Sequence, residues 1–110
     1  PSRDFCFIEN TVQMNILAAT ASNEAKDQVY NVAVGDCTTL TELYLAIKTS
    51  LASRGIQKIT EPIYREFRDG DVRHSQADIK KARDKLGYNP EFTILEGIDK
   101  VMPWYIDLLT

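Results

Sequence analysis

The chain has 110 residues, of which 44% are hydrophobic and 26% charged, and its formal net charge is −3. This length fits one domain with one core, and the composition is that of a soluble globular protein rather than a disordered or membrane-spanning one. Basic residues are interspersed with acidic ones, so the positive surface expected of a nucleic-acid-binding protein is missing, and we expect no nucleic-acid partner.

The first elements predicted along the chain are a strand and a helix. Residues 4–8 form an apolar, aromatic run that predicts a strand. Residues 11–21 follow with apolar side chains at helical spacing, and Asn10 or Thr11 can cap the helix that they predict. The apolar stripe of this helix contains Val12, Ile16 and Ala19, with Leu17 beside them.

A second strand, a helix and a third strand are predicted next. Residues 29–34 are nearly continuously apolar, as in a strand covered on both faces, and Gly35 ends the run. Thr39 and Glu42 have the spacing of a capping box, so a helix is expected to begin there. Residues 62–67 alternate enough to predict a third strand. The order strand, helix, strand favours a right-handed parallel crossover.

Two helices are predicted in the rest of the chain. The first has Ile79, Ala82 and Leu86 on one face, begins with Ser75 or Asp78 as its cap, and ends at Gly87 in a left-handed cap. The second, over residues 94–108, has Pro103 well inside, which predicts a kink or a break there. The whole predicts a small α/β unit with about four helices and a mixed or largely parallel sheet of about three strands.

The segment over residues 68–78 carries most of the chemistry. It places Arg68, Asp71 and Ser75 around Gly70, between a predicted strand and a predicted helix. A guanidinium group offers a planar fork of donors that matches phosphate oxygens, and a carboxylate can accept from ligand hydroxyls. An ordinary loop with solvated charges is the alternative interpretation of the same residues.

Counting residues argues against other chemistries. The glycines at positions 35, 55, 70, 87 and 97 are too far apart for a dinucleotide-binding or Walker loop, so we expect no NAD bound by this chain alone. His74 is the only histidine and gives no metal cluster. Cys6 and Cys37 lack zinc-ligand spacing, and no signal peptide precedes them, which favours a reduced, cytoplasmic protein.

Seven short segments occur in a fixed order along the chain. They are Arg3-Asp-Phe, Ile8-Glu-Asn, Val29-Tyr-Asn-Val, Thr39-Leu-Thr-Glu-Leu43, Arg68-Asp-Gly-Asp-Val, Ala77-Asp78 with Lys81-Ala82, and Leu86-Gly-Tyr-Asn-Pro90. The series resembles the carboxy-terminal substrate-binding part of the extended short-chain dehydrogenase/reductase superfamily, the nucleotide-sugar epimerases and dehydratases. Within it, residues 3–15 and 70–75 look closest to bacterial UDP-N-acetylglucosamine 4-epimerases of surface-polysaccharide synthesis.

The resemblance implies substrate-binding roles for five residues. Arg3 and Arg68 match diphosphate-contacting arginines, Leu40 an apolar position near the nucleoside, and Asp71 an acid that hydrogen-bonds the ribose. Ser75 matches the position that limits room around the sugar 2-substituent, where a small side chain leaves space for an acetamido group. Ser75 as a simple helix cap is the alternative, and Asn10 receives no ligand role.

The resemblance also implies an activity and its division between domains. It implies a UDP-sugar substrate and a transient NAD-dependent oxidation at the sugar C4, with NAD and the catalytic tyrosine and lysine held by an amino-terminal dinucleotide-binding domain that this sequence lacks. We therefore expect the chain to be a single-domain fragment that is inactive alone and self-associates, from an enzyme that is a homodimer when intact. The alternatives are a stand-alone protein-interaction module and a fragment of a dehydratase or decarboxylase.

Overall fold

The structure is a computed structural model that describes residues 1–57 and 60–109. Four helices and one small sheet make up its regular elements, and the number of helices agrees with the prediction. In chain order the elements are β1 (Ser2–Arg3), α1 (Ile8–Ala19), β2 (Thr38–Thr39), α2 (Leu40–Ala52), α3 (Lys80–Leu86) and α4 (Ile94–Leu109).

The sheet is smaller than predicted and uses other residues. β1 pairs with β2 in an antiparallel ladder, with Ser2 opposite Thr39 and Arg3 opposite Thr38. A single parallel bridge joins Ser2 to His74. The strands predicted over residues 4–8, 29–34 and 62–67 are therefore wrong, and so is the parallel crossover, because in the described residues the paired strands are only two residues long.

The side chain of Asp4 accepts hydrogen bonds from the end of the second predicted strand and from the segment before α3. Asp4 Oδ1 accepts from Val34 N at 3.0 Å, and Asp4 Oδ2 accepts from Gly35 N at 2.9 Å and Ala77 N at 3.2 Å. These backbone donors are satisfied by one carboxylate instead of by strand neighbours. Asp4 thus joins three segments of chain without a sheet ladder.

Helix α1 begins earlier than predicted, and Asn10 is not its cap. Phe7 occupies the N-cap position with no side-chain hydrogen bond, and Asn10 lies inside the helix with 0% of its surface exposed. Asn10 Oδ1 accepts from Glu91 N at 3.0 Å and Phe92 N at 3.1 Å, while Asn10 Nδ2 donates to Phe92 O at 2.7 Å. Asn10 therefore satisfies the backbone that precedes α4.

The apolar stripe predicted on α1 faces outward. Val12 is 48% exposed, Ile16 is 60% exposed, and Ile8 on the same side is 63% exposed. Met14 is the apolar residue that α1 buries. Helical spacing identified the stripe, but it could not say which side of the helix contacts the core. The core cluster consists of Met14, Ala33, Ile79, Ala82 and Tyr88.

Helix α2 follows the prediction closely. Thr39 Oγ1 accepts from Glu42 N at 3.0 Å and donates to Glu42 Oε1 at 3.1 Å, so the side chains of a capping box are in contact. The helix packs against α4. Between them, Ser50 Oγ donates to Asp99 Oδ1 at 2.9 Å, and Arg54 Nη1 donates to the same oxygen at 2.7 Å.

Helix α3 ends as predicted at Gly87, whose φ of 69° is left-handed. The cap predicted at Ser75 or Asp78 is wrong, because Ile79 occupies the N-cap position. Asp78 Oδ1 accepts from Lys80 N at 2.9 Å one residue before this position, and Ser75 lies outside the helix. Tyr88 follows the cap with 0% of its surface exposed, and its hydroxyl donates to Ala33 O at 2.6 Å. The left-handed turn at Gly87 thus directs the chain so that Tyr88 enters the core.

Helix α4 continues through Pro103, so the break predicted there is wrong. A proline has no N–H to donate to the carbonyl four residues earlier, which is that of Asp99. Arg54 Nη2 donates to Asp99 O at 2.9 Å and satisfies this carbonyl from α2. The tertiary contact replaces the missing helical hydrogen bond.

Candidate functional site

Strand β1 brings together three segments that are far apart in the sequence. Ser2 N donates to Arg73 O at 2.7 Å, and Ser75 N donates to Ser2 O at 3.1 Å, so residues 73–75 run alongside β1. On the other side, Leu40 N donates to Pro1 O at 3.2 Å. The start of α2 and the loop before α3 therefore both adjoin Arg3.

Two arginines meet at one carboxylate beside β1. Arg3 Nη2 lies 3.3 Å from Asp71 Oδ1, and Arg68 Nη2 lies 3.4 Å from Asp71 Oδ2. Arg3 Nη1 also donates to Ser2 O at 2.7 Å and to Arg73 O at 3.3 Å. We call Arg3, Arg68 and Asp71 the arginine site. Its guanidinium groups could receive an anionic ligand.

The two arginines are held to different extents. The Arg68 side chain is 87% exposed and the Arg3 side chain 33% exposed. Arg3 has two backbone acceptors besides Asp71, whereas Arg68 is described only with Asp71. Arg3 is thus the anchored member of the pair, and Arg68 can reorient toward a ligand.

A turn fixes Asp71 relative to Arg68. Asp71 N donates to Arg68 O at 3.1 Å across this turn, and Gly70 has a φ of 78° at its third position, which favours glycine. Below the turn, the Arg73 guanidinium lies 4.0 Å from the centroid of the Phe67 ring, in a cation–π contact. The turn therefore places the side chains of Arg68 and Asp71 next to each other at the surface.

Leu40 and Ser75 adjoin β1 through their backbones. Leu40 is 51% exposed, and Ser75 is exposed as well. The structure thus brings all five predicted residues to the neighbourhood of β1. Their ligand roles stay predictions. Both oxygens of Asp71 are engaged by arginines, so a ribose hydroxyl would have to share this carboxylate.

Sequence reasoning missed a cluster beneath the arginine site. Ser2 is 5% exposed, and its Oγ lies 2.7 Å from His74 Nδ1 and 3.3 Å from Cys37 Sγ. These contacts tie β1 to the segments that contain Cys37 and His74. No local pattern connects Ser2 to His74, because the contact depends on the bridge between their backbones.

A cleft in the described part of the chain lies away from the arginine site. It has a volume of about 1070 Å³ and opens between α2 and the segment that leads into α4. Leu45, Ala46, Thr49, Phe92, Leu95 and Asp99 are among the residues that line it. None of the five predicted site residues lines this cleft. We base the candidate site on the convergent arginines, because recognition of an anion depends on placed donors rather than on volume.

The glycines of this chain do not form a dinucleotide-binding loop. Gly35, Gly55, Gly70 and Gly87 each have a positive φ in separate turns, and Gly97 packs against the Phe7 ring. They therefore supply no glycine-rich backbone cradle at a helix start. Residues 1–57 and 60–109 contain no group of His, Cys, Asp and Glu that could hold a metal ion. In the same ranges, no helix has the length and apolarity needed to cross a membrane.

Comparison with known proteins identifies the family. The family described as GDP-mannose 4,6 dehydratase matches residues 1–101. The chain belongs to this family. A putative UDP-glucose 4-epimerase of Methanocaldococcus jannaschii is 35% identical over 103 residues, which cover 94% of this chain and 30% of that protein. A UDP-glucose 4-epimerase of Mycolicibacterium smegmatis is 30% identical over 104 residues, covering 94% of this chain and 31% of that protein.

Solved structures support the same assignment. The Bordetella bronchiseptica enzyme WbmF, in complex with NAD⁺ and UDP, superposes with a TM-score of 0.75 at 27% identity and covers 99% of this chain and 30% of that enzyme. This likeness confirms the predicted fold class, a small α/β unit of the epimerase/dehydratase kind. The superfamily resemblance is confirmed as well. The chain spans about 30% of the length of the first relatives that it matches.

Proposed function

We propose that the chain is the nucleotide-sugar-binding part of an NAD-dependent UDP-sugar 4-epimerase. The convergence of Arg3 and Arg68 on the Asp71 carboxylate is the observation that carries this proposal. Guanidinium pairs suit the oxygens of a diphosphate as well as those of a carboxylate. The names of the epimerase relatives and the UDP bound to WbmF support a UDP-sugar rather than another anion.

The residues of this chain would bind and orient the substrate. Arg3 and Arg68 neutralise the diphosphate, and Leu40 offers an exposed apolar surface near the nucleoside. NAD and the tyrosine–lysine pair belong, in this proposal, to a dinucleotide-binding domain with which the chain acts. Holding the diphosphate on this chain leaves the sugar directed toward that domain, so that binding and chemistry are divided between the two parts.

The sugar specificity is a finer part of the proposal. Ser75 is small and exposed, and its backbone N–H donates to Ser2 O. Asp4, whose contacts hold this part of the chain, lies two residues after Ser2. A small side chain here leaves room for an acetamido group, which favours UDP-N-acetylglucosamine and UDP-N-acetylgalactosamine. A dehydratase is the second candidate, because the matching family is described as GDP-mannose 4,6 dehydratase.

The proposal can be tested by titrating the chain with nucleotides and following its backbone amide resonances. We expect UDP and UDP-N-acetylglucosamine to shift the resonances of residues 68–75. Arg68→Gln should weaken UDP binding about tenfold, since a charge-assisted hydrogen bond to phosphate is lost. Arg65→Gln is the matched control, because Arg65 is an exposed arginine of the same loop.

Several results would count against the proposal. Equal weakening by Arg68→Gln and Arg65→Gln would show a general charge effect. Shifts confined to the cleft between α2 and α4 would place the ligand elsewhere. Preference for GDP over UDP would favour the dehydratase candidate, and weaker binding of UDP-N-acetylglucosamine than of UDP-glucose would contradict the role of Ser75.

A further inference from the structure

The backbone of Ser2 carries the contacts that hold Arg3. Ser2 O accepts from Arg3 Nη1 at 2.7 Å and from Ser75 N at 3.1 Å, and Ser2 N donates to Arg73 O at 2.7 Å. Arg73 O is also the second backbone acceptor of Arg3 Nη1, at 3.3 Å. The two carbonyls that hold the Arg3 guanidinium therefore lie on the two segments that the bridge between Ser2 and His74 joins.

A side-chain hydrogen bond joins the same two segments. Ser2 Oγ lies 2.7 Å from His74 Nδ1, and Ser2 is 5% exposed. This bond forms in either protonation state of the ring, because a neutral Nδ1 accepts from the hydroxyl and a protonated Nδ1 donates to it. The imidazole thus adds a side-chain contact to the backbone bonds that set the distance between Ser2 O and Arg73 O.

We propose that His74 is a positioning residue for substrate binding, which orients Arg3 toward the diphosphate through its hydrogen bond to the Ser2 hydroxyl. A paired contact between a guanidinium group and phosphate oxygens requires a fixed orientation of the planar fork of donors. Arg68 is 87% exposed and is described only with Asp71, so Arg3 is the arginine whose orientation a neighbour can set. The inference rests on the proposed function, because it adds a residue that supports the arginine site from outside it.

The test removes the hydrogen bond of His74 in one variant and keeps it in another. Asparagine places a polar atom where Nδ1 of histidine lies, so His74→Asn retains a partner for Ser2 Oγ, whereas His74→Leu offers none. Gln76→Leu is the matched control, because Gln76 Nε2 donates to Gly35 O at 2.6 Å and so ties the same segment without Ser2. UDP is titrated into each form of the 110-residue chain, and amide spectra of the unliganded variants verify that each one is folded.

For His74→Leu we expect UDP to bind about fivefold more weakly, the change in affinity that corresponds to one hydrogen bond. His74→Asn and Gln76→Leu should stay within about twofold of the wild type, because the bond to Ser2 is kept in both. In an Arg3→Gln background, His74→Leu should weaken binding by less than about twofold, because His74 acts through Arg3 and the two effects are then not additive.

A second measurement needs no ligand. Arg3 Nη1 donates to two carbonyls, so its protons should exchange with water more slowly than those of the exposed Arg68. His74→Leu should raise the exchange rate of the Arg3 guanidinium protons about fivefold, and His74→Asn should leave it near the wild-type value. Nuclear magnetic resonance of the arginine side chains measures both rates.

The other outcomes overturn the inference. Unchanged UDP affinity and unchanged exchange in His74→Leu would mean that the backbone bonds alone orient Arg3. Equal weakening by His74→Leu and Gln76→Leu, or equal weakening by His74→Leu with and without Arg3, would show a general effect on the loop. If the wild type binds UDP at residues 68–75 and Arg68→Gln weakens that binding, such results refute this inference alone. If the wild type does not bind UDP there, the proposed function fails and this inference fails with it.

Discussion

Two regions of the molecule use polar side chains in opposite ways. Asn10 and Tyr88 have 0% of their surfaces exposed and make short hydrogen bonds to backbone groups of distant segments. Asp4 makes three further bonds of this kind. We call these three side chains the buried ties; Asn10 and Tyr88 are fully buried and Asp4 is half-buried. At the arginine site, by contrast, Arg68 is 87% exposed and its described contact is a long one.

The contrast separates the side chains that stabilise the fold from those that are available to bind a ligand. A buried backbone group that loses its partner cannot turn to water, so each buried tie contributes to the stability of the fold. Exposed ion pairs contribute little to stability, and their donors remain available to a ligand. Substitution of a buried tie should therefore change the free energy of unfolding, whereas substitution of Arg68 should change affinity.

The largest effect is expected for Asn10→Ala. The change removes the partner of Glu91 N, Phe92 N and Phe92 O, which is a fully buried side chain. We expect the free energy of unfolding to fall by about 3 kcal/mol, given the cost of leaving buried groups unsatisfied. Urea denaturation followed by circular dichroism measures it.

The control for this change is Asn15→Ala, since Asn15 is an exposed asparagine on the same helix. It should leave stability unchanged or slightly higher, because alanine is the better helix former. Equal destabilisation by both substitutions would break the comparison, as the loss would then come from α1 in general rather than from the buried tie.

Local signals were enough to predict part of this fold. Thr39 and Glu42 predicted the start of α2, and Gly87 predicted the end of α3, because the residues that form each cap lie close together in the sequence. The buried ties lack such a signal. Asn10 resembles a cap in sequence, but its partners are Glu91 and Phe92, and only the folded chain brings them near.

The candidate site was predictable for a different reason. Nothing in the spacing of Arg3 and Arg68 indicates that they meet; the resemblance to a known superfamily paired them, and β1 accounts for the meeting. Gly70 did indicate the turn that orients Asp71. The engagement of Asp71 by both arginines could not be predicted, because it depends on where side chains point after the backbone is in place.

A smaller effect is expected for Asp4→Asn. The amide keeps one acceptor oxygen but turns an N–H group toward donors that the carboxylate now satisfies, those of Val34, Gly35 and Ala77. Because Asp4 is only partly buried, water can replace some of the lost contacts, and we expect a loss of about 2 kcal/mol in urea denaturation.

Asp84→Asn is the control for Asp4, because it makes the same chemical change at an exposed position of α3. Its effect should stay within about 0.5 kcal/mol, as for most surface substitutions. A loss at Asp4 no larger than that at Asp84 would remove Asp4 from the buried ties and leave the junction of residues 4, 34 and 77 without an explanation.

The smallest effect at neutral pH, and the one with the clearest pH dependence, is expected for Tyr88→Phe. Loss of the hydrogen bond to Ala33 O should lower stability by about 1 kcal/mol. Burial raises the pKa of Tyr88 above its ordinary value, and Cys6 and Asp4 raise it further. The folded state therefore keeps the phenol protonated after the unfolded state has begun to ionise near pH 10.

The sign of this dependence follows from the raised pKa of Tyr88. A pKa that is raised on folding contributes stability below about pH 10, and this contribution is lost as pH rises from there toward the folded-state pKa. Urea denaturation at increasing pH should thus show a fall in stability that is smaller in Tyr88→Phe by up to about 1.4 kcal/mol per pH unit. Tyr105→Phe, at a residue that is 48% exposed, should keep the fall of the parent chain. If Tyr88→Phe showed the same fall in stability, water would have to reach the phenol of Tyr88. The buried ties and the arginine site would then differ only in how far their side chains are exposed to water.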